Sequence, residues 1–112
     1  MIVIAGWIQV DPARHAEAVT AAQAMMESSR HEAGCHAYHI TQELGRPGSF
    51  RIFEAWRSQP ALDAHFTAQH LKDFEQRITK LGVRSLGADL IEVASWKPFE
   101  LPPHLQGAVG GP

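Results

Sequence analysis

The stretch CHAYHITQELGRPGSFRIFEAWR, residues 35–57, decides the fold. Its two arms, Cys35 to Gln42 and Phe50 to Arg57, are strand candidates. Between them Gly45-Arg46-Pro47-Gly48 supplies turn chemistry. The middle of the chain is therefore predicted to be an antiparallel hairpin. Upstream, Gly34 is a natural left-handed stop for a helix. The segment before it carries Ala16, Val19, Gln23 and Met26 at three- and four-residue spacing, with Arg30 and His31 in the last turn, where the helix dipole favours positive charge. Asp11-Pro12 reads as that helix's N-cap and first helical position. Ile2 to Val10 reads as a strand covered on both sides. One face presents Ile2, Ile4, Gly6, Ile8 and Val10, and the other Val3, Ala5, Trp7 and Gln9.

Downstream, Ser58 can cap a second helical region, with Pro60 tolerated in its first turn. Leu62 and Phe66 begin an apolar stripe, which Leu71, Phe74, Ile78 and Leu81 continue after a break near Gln69. Gly82 closes the helix beside Arg77 and Lys80. Ala88 to Trp96 is the last predicted strand. The order β-α-β-β-α-β specifies an α+β, ferredoxin-like fold with both helices on one face of a four-stranded antiparallel sheet. The opposite face needs cover. Apolar residues of both parities in the outer strands point to a second copy of the chain, a homodimer through the open sheet face. Residues 98–112 hold four of the 7 prolines and three of the 9 glycines. They read as a tail, either disordered or laid over a partner, beyond a domain of residues 1–97.

At 112 residues the chain accommodates one ordinary domain, and 45% hydrophobic with 20% charged residues is globular composition. Ten Lys and Arg against 12 Asp and Glu give a formal charge of -2 with no basic stripe, which argues against a nucleic-acid partner. The apolar opening has no positive n-region or small-residue cleavage site, and no stretch approaches the roughly 20 apolar residues of a membrane span. A small soluble cytoplasmic domain with no membrane partner is the expectation. The single cysteine, Cys35, excludes an intrachain disulfide and a multi-cysteine zinc site.

Three segments together resemble the antibiotic-biosynthesis monooxygenase family. They are Glu32-Ala33-Gly34-Cys35-His36-Ala37-Tyr38, then Phe53-Glu54-Ala55-Trp56-Arg57-Ser58, then Ala61-Leu62-Asp63-Ala64-His65-Phe66 followed by Gln69-His70-Leu71. Their order and spacing fit the family across residues 1–97, and the motifs are most similar to its quinol-oxidising branch. The resemblance implies a dimeric α+β barrel. It also implies a monooxygenase that oxidises a small aromatic quinol or polyphenol with dioxygen, without cofactor or metal, and it carries His65 and His70 over as the catalytic residues. The haem-degrading branch relies on an asparagine, and this chain contains none, with His65 where that branch has a tryptophan. A proton-transfer isomerase and a non-catalytic protein that binds an aromatic metabolite are the alternatives within the fold.

Cofactor-independent oxygenation needs a base to ionise an electron-rich substrate and a dry pocket to hold the anion. Histidine suits the base role because it titrates near working pH. On a continuous helix His65 and His70 would differ in direction by roughly 140°, so they converge only if the helix breaks, and that spacing disfavours a shared metal. The bland alternative has His65 bonded to backbone and His70 capping the next segment. Tyr38, Phe53, Trp56, Phe66 and Phe74 are the residues expected to line a flat aromatic-binding pocket between sheet and helices, although strand parity leaves open which face the helices cover. Cys35 and His39 share a strand face while His36 opposes them, which makes a poor zinc site, so no metal is expected there. Cys35 reads as a small buried hydrophobe. Glu54 reads either as a functional carboxylate within the sheet or, as the favoured reading, as an ion-pair partner of Arg51 or Arg57.

Overall fold

The structure is a computed structural model and describes residues 1–107. Strands β1 (Ile2–Gln9), β2 (Cys35–Gln42), β3 (Ser49–Trp56) and β4 (Ser85–Glu92) form one antiparallel sheet in the order β2-β3-β1-β4. Helices α1 (His15–Arg30), α2 (Gln59–Phe66) and α3 (Gln69–Thr79) complete the ferredoxin-like β-α-β-β-α-β arrangement, and a single turn, α4 (Pro103–Gln106), lies in the tail. The expected architecture is therefore present. The last five residues of the predicted tail, 108–112, lie outside the described residues.

Register settles which face the helices cover. Ile2 opposes Trp56, Ile4 opposes Glu54, Gly6 opposes Ile52 and Ile8 opposes Phe50. Tyr38 and Ile40 of β2 continue the same face, and the core joins these side chains to Ala18, Ala21, Ala22 and Met25 of α1, Leu62 of α2, and Phe74 and Ile78 of α3. Val3, Ala5, Trp7, His39, Arg51, Phe53 and Ile91 belong to the opposite face.

Several local details differ from the sequence reading. Asp11 does cap, accepting a hydrogen bond from the Ala13 amide, but it opens a short 3₁₀ turn, Pro12–Arg14, ahead of α1. The buried stripe of α1 runs through Ala18, Ala21, Ala22, Met25 and Ser29, about one position round from the predicted one. Small alanines let α1 approach the sheet closely, and that close approach outweighs the larger Val19 and Met26, which stay partly buried at its edge. The last strand is Ser85–Glu92 rather than Ala88–Trp96, because it pairs along the whole of β1 from Gln9 back to Ile2. Beyond it the Val93 amide donates to the Met1 carbonyl, and Trp96 meets His36 edge-on with ring centroids 5.1 Å apart.

A bulge at His36 corrects another reading. Cys35 opposes Trp56 and Ala37 opposes Ala55, so one residue of β2 has no opposite number. Cys35 consequently packs against the helix-side core while His39 sits on the opposite face, and the two do not share a side. Gly34, which ends the α1 connection, takes φ +81°, and a Cβ there would lie 2.5 Å from that of Ala61. Glycine is thus required both by the left-handed turn and by the close approach of α2.

Candidate functional site

The second helical region does break. α2 ends at Phe66, Thr67 follows as its C-cap, and Ala68 is extended (φ -70°, ψ 140°) before α3 starts at Gln69. That two-residue interruption turns His65 and His70 towards each other, with ring centroids 5.9 Å apart. The divergence of roughly 140° expected on a continuous helix does not arise. Both rings meet one carboxylate that sequence reasoning did not single out. His65 Nδ1 lies 2.6 Å, and His70 Nε2 2.8 Å, from Glu32 Oε2. A carboxylate only accepts, so with Glu32 ionised both ring nitrogens donate to it. Neither histidine plays the bland part expected of it, since both bond Glu32 rather than backbone or helix cap.

Glu32 is placed by a tight turn after α1. Its amide donates to the Ser29 carbonyl, and its own carbonyl accepts from the Cys35 amide. Its signals in the sequence were its position two residues before a helix-stopping glycine and its place at the head of the first family-like segment. A second carboxyl, Glu54, faces the other side of His65, with Oε1 3.7 Å from His65 Nε2. It does not pair with Arg51 or Arg57. Register turns it to the helix side, where the Trp56 indole donates to its Oε1 at 3.0 Å, while Arg51 bonds Glu43 instead. Burial pushes the Glu54 carboxyl above the usual carboxylate range. The Trp56 hydrogen bond and the neighbouring His65 pull it back, and Glu32 adds to the rise.

The predicted aromatic residues are divided by the fold. Trp56 lies against the His65 ring at 4.5 Å between centroids, and Tyr38 at 5.6 Å, both within the core. Burial, reinforced by Glu54, drives the Tyr38 hydroxyl well above the phenol range, so it stays protonated as a donor. Phe66 is 6.1 Å from His65 but more than half exposed. Phe74 belongs to the hydrophobic core, on α3. Phe53 sits on the opposite sheet face, where a helix-side ligand cannot reach it, because strand alternation carries it away from Glu54 and Ile52. Ser29 is fully buried on α1, with its hydroxyl beside that of Tyr38.

Access is one-sided. His65 is 1% exposed, whereas the side chains of His70 and Glu32 are 25% and 16% exposed. Two surface hollows lie elsewhere. One, of about 370 Å³, runs beside Met26, Ile40, Leu44 and Phe50, and the other, of about 320 Å³, lies between Arg14, Glu17, Arg77 and Lys80. Solvent therefore meets the cluster at His70 and Glu32. Chemically the arrangement is a buried carboxylate–histidine pair, a second carboxyl whose pKa burial raises, and a half-open histidine at the mouth.

Known proteins share this frame. The family described as antibiotic biosynthesis monooxygenase matches residues 1–77. An uncharacterised protein of Synechocystis, sll1783, is 32% identical over 93 residues, covering 83% of this chain, and the aligned region spans 63% of that relative's length. YcnE of Bacillus subtilis, described as a candidate monooxygenase, is 30% identical over 74 residues, covering 66% of this chain and 78% of its own. Among solved structures, an antibiotic biosynthesis monooxygenase candidate from Deinococcus radiodurans superposes with a TM-score of 0.82 at 21% identity, covering 89% of this chain and 99% of that one. PA3566 from Pseudomonas aeruginosa superposes with a TM-score of 0.72 at 27% identity, covering 84% and 94%.

Proposed function

This chain belongs to the antibiotic biosynthesis monooxygenase family, and on that premise we propose that it oxidises a small aromatic quinol or polyphenol with dioxygen, without flavin or metal in the reaction. The observation that carries the reading is the convergence of His65 and His70 on Glu32 beside the Trp56 and Tyr38 rings. The substrate hydroxyl gives its proton to the half-open His70, and Glu32 stabilises the imidazolium that forms. His65, held from behind by Glu54 and Trp56, fixes Glu32 and shares the proton. The resulting anion is electron-rich enough to pass an electron to dioxygen, and radical recombination forms a carbon–oxygen bond. One oxygen atom stays in the product and the other leaves as water, so a reduced naphthoquinone becomes a hydroxyquinone and an anthrone becomes an anthraquinone. A flat substrate seated at His70 would itself displace water from the mouth, where Phe66 supplies an aromatic wall.

The test is oxygen uptake by the purified protein against a panel of reduced naphthoquinones and anthrones, with autoxidation subtracted. Uptake above background that falls by roughly 10²- to 10⁴-fold in Glu32→Gln and His70→Ala is the expected result. Uptake that both variants retain would remove the cluster from the mechanism.

One observation favours a second reading. Glu54, its carboxyl pushed above the usual range by burial and 3.7 Å from His65, makes an acid–base pair that could shuttle a proton next to a carbonyl without oxygen. Turnover of an enolisable substrate under anaerobic conditions, lost in Glu54→Gln, would favour this isomerase over the oxygenase. Tight quinone binding with no turnover in either assay would leave the protein as a binder of aromatic metabolites.

A further inference from the structure

We propose that Glu32, His65 and His70 form a binding site for one first-row divalent transition-metal ion, with zinc as its natural probe. His65 Nδ1, His70 Nε2 and a Glu32 carboxylate oxygen all lie within 4.8 Å of one another. Two imidazole nitrogens and one carboxylate oxygen are a donor set that zinc and its neighbours accept, with further positions left for water. Metal–ligand bonds of about 2.0–2.2 Å in tetrahedral geometry place donor atoms about 3.3–3.6 Å apart. The present Glu32–histidine separations of 2.6 and 2.8 Å must therefore widen by less than about 1 Å. Glu32 sits on a turn and His70 is partly exposed, so both side chains have room to move, while His65 is the fixed member.

A separate feature points to the same ligand. A metal-binding histidine generally gives its other ring N–H to a carboxylate, which sets the tautomer and orients the ring. His65 has a carboxyl of this kind close by, since its Nε2 faces Glu54 Oε1 at 3.7 Å, a few tenths of an ångström beyond a hydrogen bond, and Glu54 is itself held by the Trp56 indole. With an ion on Nδ1, the remaining ring N–H sits on Nε2, on the side that Glu54 faces. The exposure gradient fits as well. The ion would be gripped on its inner side by a fully buried ring and reached from solvent past His70. The other histidine cluster of the chain offers no such set, because His36 lies in the bulge against Trp96 and His39 bonds Arg30 on the far face.

The inference goes beyond the oxygenase reading and does not depend on it, since binding is measured without substrate. The two are nevertheless linked. A bound ion takes His70 Nε2 and confines the neutral ring's one proton to Nδ1, which leaves no lone pair for a base, so zinc is expected to suppress cofactor-free turnover, and chelator to restore it.

The experiment is calorimetric titration of zinc chloride into the chelator-treated protein, with cobalt titration followed by its visible ligand-field bands. Saturable one-to-one binding, with cobalt bands showing nitrogen and oxygen ligation, is the expected result. Glu54→Gln should weaken zinc by roughly 10- to 100-fold. His70→Ala should weaken it more, and a His36→Ala/His39→Ala control should leave it unchanged. Circular dichroism establishes that each variant is folded, and Glu32→Gln, which preserves shape, repeats the comparison should His70→Ala unfold. Absence of saturable binding to the wild-type protein overturns the proposal, as does binding that survives in His70→Ala or disappears in the control. Oxygen uptake by metal-free protein separately decides the base mechanism.

Discussion

Glu54 places a carboxyl on the covered face of a central strand, where Ile52 and Trp56 are its same-face neighbours. Its pKa lies above the ordinary 4.5 because burial disfavours the charged form. The folded state therefore holds this proton more tightly than the unfolded state does. Stability from Glu54 is fully present below the unfolded pKa and is lost as pH rises through the raised folded value. Glu54→Gln removes that loss while keeping an oxygen to accept the Trp56 indole. The variant should thus be more stable than wild type at pH 8, with the advantage shrinking towards pH 4. Thermal unfolding of both proteins across that range checks it, and an advantage that grows on acidification would mean that Glu54 is ionised and stabilising in the fold. His65 tells the complementary story at the same scale. Its identity marked it as a candidate in the sequence, but its partner Glu32 is 33 residues away and could be found only by folding the chain.

At the scale of elements, the site depends on two interruptions, the turn at Gly34 and the break at Thr67-Ala68. Gly34 carries a left-handed φ and leaves no space for a Cβ against Ala61, while its carbonyl accepts from the Arg57 amide. It thereby ties the end of β3 and the start of α2 to the turn that presents Glu32. Gly34→Ala meets both the strained φ and the clash, and should cost about 2–4 kcal/mol. It should also move Glu32 from the histidines, so the unfolding midpoint in urea and zinc or substrate binding should fall together. A midpoint unchanged within error would show that the turn relaxes freely.

The elements themselves were legible in the sequence because each has local punctuation, namely Asp11-Pro12, Gly34, the Gly45–Gly48 turn and Ser58. The break near Gln69 was visible as a discontinuity in the apolar stripe. What remained hidden was geometric. A bulge leaves no residue-type signature at His36, and it reversed the face of Cys35 relative to His39. The ends of β4 were set by pairing along β1 rather than by its own composition, and the face on which Phe53 falls needed the register.

For the molecule as a whole, the helices leave apolar surface uncovered on two sides of the sheet. α1 and α2 pack over β2 and β3, and α3 packs on α1. On the helix side of β4, Leu86 and Leu90 remain 64% and 53% exposed, while Phe53 and Ile91 are partly exposed on the opposite face. Contiguous exposed apolar surface of this kind marks association. The homodimer proposed through the open face accounts for Phe53 and Ile91, and an interface that wraps round β4 would take Leu86 and Leu90 as well. Light scattering on eluting protein should give about twice the 12.3 kDa chain mass. Phe53→Glu with Ile91→Asp should then yield monomer if the open face is the interface. Dissociation by Leu86→Asp with Leu90→Asp alone would move the interface to the helix side of β4, next to the covered face on which the Glu32 cluster lies. In that case dissociation should also depress turnover, because a partner strand would be closing the site. With the open face as the interface, monomeric protein should retain its activity, since Phe53 and the histidines lie on opposite sides of the sheet.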